Sequence, residues 1–241
     1  AEPLPLFDAH VHYSHDAWDL VPPAQAVAIL RQAGLRGALV SSSNDQGTQL
    51  LAAEAPDLIV PELRPYRSRG EIGSWMKDAS VVGYLEERLA KYRYVGIGEF
   101  HLYDSANANG PVAKKLMAFA EEKNLAVLAH VDDVAIDLLM GNTPSKGQKA
   151  RIIWAHTGIG GSPAARVDEL FTRYPLLMGE LSYRPGLTCD GGKLCPEWRA
   201  LLLKYPDRFM IGSDTWVNQR WQYYDELMQG YRVWLGGLPA D

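Results

Sequence analysis

The chain has only 2 cysteines among 241 residues, so no disulfide framework or thiolate cluster can organise it. It lacks any apolar run long enough to span a membrane, any low-complexity tract and any long linker. It also lacks an excess of positive charge. With 24 Lys and Arg against 29 Asp and Glu, the net charge is -5. The pI near 5.7 argues against a broad nucleic-acid footprint, though not against a local anion site. No Gly-rich phosphate turn follows the first strand, which counts against a doubly wound dinucleotide-binding sheet. What is left is an ordinary globular composition, 47% hydrophobic and 22% charged, of a length that suits one large domain.

The most telling stretch is Leu6-Phe7-Asp8-Ala9-His10-Val11-His12. It reads as an apolar strand ending in two histidines. Side chains at i and i+2 of a strand share a face, so His10 and His12 project together. Paired imidazoles fill a core poorly and hold a divalent cation well.

Further apolar strands follow at 37–43, 58–64, 94–100, 126–130, 151–156, 176–182 and 209–214. Helical patterns stand between them at 23–33, 46–55, 80–92, 111–119, 132–140, 163–174 and 196–203, and a last one spans 220–235. Pro22-Pro23 and Pro111 suit helix starts, and Ser162-Pro163 reads as an N-cap followed by the first helical residue. Eight strand–helix units with strands apolar along their length predict a parallel sheet covered on both faces. At this length the expected architecture is a single-domain (β/α)8 TIM barrel over 1–241.

Such barrels carry their active sites at the C-terminal strand ends. There the sequence places His10 and His12 on strand one, Glu99 on four, His130 on five, His156 on six and Asp214 on eight. Taken singly, each has an ordinary explanation: a hydrogen-bonded loop histidine, an ion-paired glutamate, an N-capping aspartate. Six such coincidences at matching strand ends point to a metal centre. His15 and His101 read as loop residues or as supports that orient a ligand. Arg64, Arg67 and Arg69 follow strand three and suit a carboxylate or phosphate, or else pair with surface acids. Tyr183, Arg184, Trp18 and Trp216 stand near strand ends and can wall a pocket. Trp154 reads as core, two residues before His156 and on the same face inside the barrel.

This pattern of His-x-His, Glu, His, His and Asp resembles the amidohydrolase superfamily of metal-dependent hydrolases, over Phe7 to Asp214. Gly96-Ile97-Gly98-Glu99 is similar to TatD-like enzymes, in which a glutamate bridges two ions. Trp154-Ala155-His156-Thr157-Gly158 and Ile211-Gly212-Ser213-Asp214-Thr215 are similar to the amidohydrolase-related branch of lactonases and decarboxylases. The resemblance implies two divalent ions, zinc before manganese or iron. One would be held by His10, His12 and Asp214, the other by His130 and His156, with Glu99 between them. It further implies hydrolysis of a small, anionic ester, lactone or amide, with Asp214 as general acid/base and Arg64, Arg67, Tyr183 and Arg184 toward the substrate. Alternatives are a TatD-like phosphodiesterase or nuclease, a mononuclear non-hydrolytic decarboxylase in which Glu99 has no metal role, and a binding protein with a structural zinc. The superfamily closes its barrel with a helix after strand eight, which 220–235 must supply unless the C-terminus has been lost.

The partner is accordingly a small molecule, with neither membrane nor nucleic acid expected. The start at Ala1 without methionine, and Cys189 close to Cys195, hint at an exported protein. The cysteines pair in an oxidising compartment or stay free in the cytosol.

Overall fold

A computed structural model describes residues 2–158 and 160–240; Ala1, Ile159 and Asp241, and with them any reading of the chain ends, lie outside the described residues. Eight parallel strands follow one another in chain order around a barrel. They are β1 (Leu6–Val11), β2 (Leu35–Val40), β3 (Ile59–Leu63), β4 (Gly96–His101), β5 (Ala126–His130), β6 (Arg151–Trp154), β7 (Met178–Glu180) and β8 (Phe209–Met210). A parallel bridge between Asp8 and Ile211, with Ala9 N–H donating to the Ile211 carbonyl at 2.9 Å, joins the last strand to the first. The chain is thus a (β/α)8 barrel, and no helix among the described residues is long and apolar enough to cross a membrane.

The covering helices are α1 (Pro23–Gln32), α2 (Gln46–Glu54), α3 (Ser80–Lys91), α4 (Pro111–Glu122), α5 (Asp133–Gly141), α6 (Ala164–Arg173), α7 (Pro196–Lys204) and α8 (Tyr224–Leu235). Prolines open α1, α4 and α7, where the first N–H groups have no helical partner. The expected Ser162 cap is not formed. Pro163 takes the N-cap position with no side-chain bond, and the helix begins at Ala164. Beyond β8, a 3-10 turn over Asn218–Trp221 takes up the first part of the expected last helix.

Two apolar layers hold the barrel. The larger lies between strands and helices and contains the buried Trp75, Trp154, Trp198 and Trp221. The smaller fills the N-terminal half of the barrel interior with Leu39, Ala126, Leu128, Ile153 and Ala155, flanked by Val60, Met178 and Met210. Strand parity then carries the interior from apolar to ionisable. Val60 is followed on its face by Glu62 and Arg64, Leu128 by His130, and Met178 by Glu180 and Ser182. The apolar layer is the floor on which the polar layer is built.

Candidate metal centre

His10 and His12 reach the barrel mouth as parity requires, with their Nε2 atoms 3.0 Å apart. Each is held through its other ring nitrogen. His12 Nδ1 lies 2.6 Å from the Ser41 carbonyl, which can only accept, so this nitrogen carries the proton. His10 Nδ1 lies 2.6 Å from Glu180 Oε1. Burial raises the Glu180 carboxyl, but His10 outweighs it and keeps the group below its ordinary range, so His10 Nδ1 is the donor. His156 Nδ1 donates in the same way to the Ser182 carbonyl at 2.5 Å. In neutral form all three imidazoles therefore present Nε2 lone pairs to the interior.

Those lone pairs meet carboxylates. Glu99 Oε1 is 3.2 Å from His10 Nε2 and 2.9 Å from His12 Nε2. Asp214 Oδ1 is 3.4 Å from both, and Asp214 Oδ2 is 3.4 Å from His156 Nε2. Donor atoms of His10, His12, Glu99 and Asp214 all fall within 4.8 Å of one another. Converging acceptors require a cation. Burial alone would lower the His10 pKa, but Asp214, Glu99 and Glu180 hold it well above the ordinary imidazole value. The charge distribution that favours a proton there favours a divalent ion equally, and the donor set suits zinc.

Glu99 reaches this point through a bulge. Gly98 pairs with Leu128 and Phe100 with Ala129, so Glu99 is the extra residue on β4. The register shift turns it inward while Phe100 packs in the outer layer. Its second oxygen, Oε2, lies 3.2 Å from His130 Nδ1, so its two oxygens face different histidines. Burial raises the carboxyl, yet His10 and His101 hold it well below the ordinary range.

His156 also departs from simple parity. β6 ends at Trp154, and His156 sits in a 3-10 turn at φ 56°. Trp154 therefore faces outward into the strand–helix layer, with Nε1 donating to the Val131 carbonyl at 2.8 Å, rather than sharing the inner face with His156. The pair expected at one ion is divided: His156 groups with His10 and Glu180, and His130 with Glu99 and His101. The two rings remain adjacent, with centroids 5.0 Å apart.

Asp214 is held by its backbone, with φ 50° and its N–H donating to the His10 carbonyl at 2.6 Å. Burial raises its carboxyl, and His10 and His12 more than reverse that, leaving it below the ordinary range. His101 is a support. Tyr66 Oη accepts from the His101 backbone N–H at 2.6 Å and sits 2.9 Å from its Nδ1. The hydroxyl proton thus goes to Nδ1 and leaves Nε2 protonated. The ring stacks on His130 at 4.2 Å, and burial pushes its pKa down to about 3 despite Glu99.

The arginines are arranged differently from expectation. Arg64 is buried, with Nε and Nη2 each 2.9 Å from the Glu99 carbonyl and Oε1, and Nη1 3.1 Å from Ser43 Oγ. It orients Glu99, and each of its three guanidinium nitrogens is already bonded to the protein. Arg67 pairs with Glu71 and Asp78 outside the barrel, and Arg69 with Asp16. Arg184 is buried over Trp198 and donates to the Thr157 and Ser162 carbonyls, bracing the β6–α6 loop. Tyr183 does stand at the mouth, 45% exposed, against the Arg220 guanidinium at 3.7 Å. His15 is an exposed loop residue whose backbone N–H donates to the Ser43 carbonyl.

Three buried carboxylates go unread in the sequence: Asp8, Glu62 and Glu180. Parity places two of them in the interior, Glu62 on the face of Arg64 and Glu180 on that of Ser182. Asp8 instead pairs with Ala38 and Ile211 of the strand–helix layer, because the register of β1 shifts between Asp8 and Val11. Asp8 accepts from the His10 and Ser213 N–H groups and from Tyr224 Oη, and ties β1 to β8 beneath the histidines.

No family model and no curated protein matches the chain. Solved structures do. An amidohydrolase from Burkholderia multivorans with bound zinc superposes with a TM-score of 0.60 at 15% identity, over 98% of this chain and 94% of that one. A probable 2-pyrone-4,6-dicarboxylic acid hydrolase from Acinetobacter baumannii, with citric acid bound, gives 0.57 at 13%, over 97% and 100%. A TatD family hydrolase from Entamoeba histolytica gives 0.55 at 11%, over 88% and 74%. At these identities the likeness is one of fold.

Proposed function

We propose that this chain is a member of the amidohydrolase superfamily, a metal-dependent hydrolase of a small, anionic ester, lactone or amide. The observation that carries the reading is the convergence of the His10 and His12 Nε2 lone pairs with the Glu99 and Asp214 carboxylates inside 4.8 Å. The fold shared with amidohydrolases, one of them holding zinc, supports it. His10, His12, Glu99 and Asp214 would hold one ion; Glu99 Oε2 and His130, with His156 adjacent, would hold a second. Bound divalent cations supply Lewis acidity and bring the pKa of water toward ~7.

The chain's own groups do the rest. Glu180 and the Ser41 and Ser182 carbonyls fix the orientation of the imidazoles, so that each directs Nε2 to the ion without rotating. Arg64 holds Glu99 in its inward position. Asp214, ionised at neutral pH and held at the edge of the ligand set, takes a proton from water at its carboxylate and returns it to the leaving group. The bond between Cys189 and Cys195 supports an oxidising compartment for the protein.

A phosphodiesterase of TatD type is the second reading, favoured by the way the two Glu99 oxygens face different histidines. The test is a panel of esters, lactones, amides and phosphodiesters with zinc- or manganese-loaded protein and its Asp214→Asn variant. We expect turnover on a carboxylic substrate, a kcat at least ~10²-fold lower in the variant, and most of the metal retained. Near-wild-type turnover in the variant would remove Asp214 from the chemistry, and activity confined to phosphodiesters would favour the second reading.

A further inference from the structure

Arg64 and Arg184, which follow β3 and β7, have their Nη groups bonded to Glu99 and Ser43 and to the Thr157 and Ser162 carbonyls. A third, Arg220, sits in the 3-10 turn after β8. One Nη1 proton goes to the Asp214 carbonyl at 2.8 Å, and the same nitrogen lies 3.6 Å from Asp214 Oδ2. Its Nε and Nη2 have no hydrogen-bond partner among the described residues, although the side chain is only 16% exposed. Tyr183 covers the flat face at 3.7 Å, and the Trp216 ring centroid is 5.9 Å away. The aromatic contact fixes the plane of the fork and leaves its edge open beside the proposed acid/base.

A planar, immobilised guanidinium with free donors, one residue removed from the ligand set, is built to receive a planar anion. We infer that Arg220 is the specificity-determining residue of this site and binds a carboxylate carried by the substrate close to the bond that breaks. The inference rests on the hydrolase reading and names the anion within it. A carboxylate fits better than a phosphate dianion. It matches the fork in two parallel bonds, and it brings one negative charge rather than two toward Glu99 and Asp214.

Calorimetric titration tests this with succinate, glutarate and their uncharged diamides as probes, on zinc-loaded wild type, Arg220→Lys, Arg220→Gln and Tyr183→Ala, with zinc content measured on each. We expect at least one dicarboxylate to bind the wild type about tenfold or more tightly than Arg220→Gln, the scale of a lost charge-assisted pair. Arg220→Lys should fall between them, because it keeps the charge and the bond to the Asp214 carbonyl but not the fork. Tyr183→Ala should weaken binding with Arg220 intact, and the diamides should bind all four proteins with equal weakness. Equal dicarboxylate affinity in wild type and Arg220→Gln at equal zinc content would overturn the inference, as would failure of both acids to bind the zinc-loaded wild type. A wild type that takes up no zinc would instead contradict the hydrolase reading, and the same titrations on the metal-free protein would still decide the role of Arg220.

Discussion

Glu62 is the residue whose environment is least compensated. It is fully buried on the inner face of β3, and neither carboxylate oxygen has a hydrogen-bond partner. Burial pushes its pKa up to about 8, against the pull of His10. A raised folded-state value means that the folded chain binds this proton more tightly than the unfolded chain does. The associated stability is complete below about pH 4.5 and declines as pH rises, until it is lost once pH passes about 8. Glu62→Gln keeps the shape without the titration. On metal-stripped protein, its melting temperature should equal that of wild type at pH 4.5 and exceed it progressively up to pH 9. The gain at the alkaline end should be on the order of 5 kcal/mol. A constant difference across the range would show that Glu62 does not titrate there. The residue-scale surprises share a cause. The sequence identifies a strand-end Arg or Glu but not its partner, so Arg64 and Arg67 look equivalent until one is seen on Glu99 and the other on Glu71.

At the scale of the element, parity along a regular strand predicts direction and breaks in the backbone defeat it. His130 after Leu128 is legible because β5 keeps a two-residue repeat to its end, and His10 with His12 because the pair is two residues apart, although the register of β1 shifts just before it, between Asp8 and Val11. Glu99 and His156 reach the centre only through a bulge and a left-handed turn, whose effects on side-chain direction do not show in residue type. The same break explains Trp154, whose expected inward face holds only if β6 continues through His156. The β4 bulge is testable through Gly98, which sits at φ 128°, where an added Cβ would lie 2.3 Å from the Leu128 carbonyl oxygen. Gly98→Ala should cost at least ~2 kcal/mol, and should lower metal occupancy by displacing Glu99. Gly83→Ala is the control: it is exposed within α3, where an added Cβ meets nothing within 4 Å. That change should instead stabilise the protein by ~0.5–1 kcal/mol. Paired thermal melts decide between them, and a harmless Gly98→Ala would refute the bulge as the device that delivers Glu99.

At the scale of the whole molecule, the eight-fold alternation was legible because strands covered on both faces read as short apolar runs between amphipathic helices. The short strands were less so. β7 and β8 have 3 and 2 paired residues, and the ring closes through the Asp8–Ile211 bridge and the side-chain bonds of Asp8 to Ser213 and Tyr224. That closure brings Asp214, from the far end of the chain, beside His10 and His12. The proposed centre, in which the assembled ring of donors holds two divalent ions, is tested most directly by elemental analysis of the intact chain, prepared without added metal and then saturated with zinc or manganese. A value approaching two ions per chain is expected; a stable value of one would contradict a bridging Glu99, and a value near zero would contradict the metal centre itself.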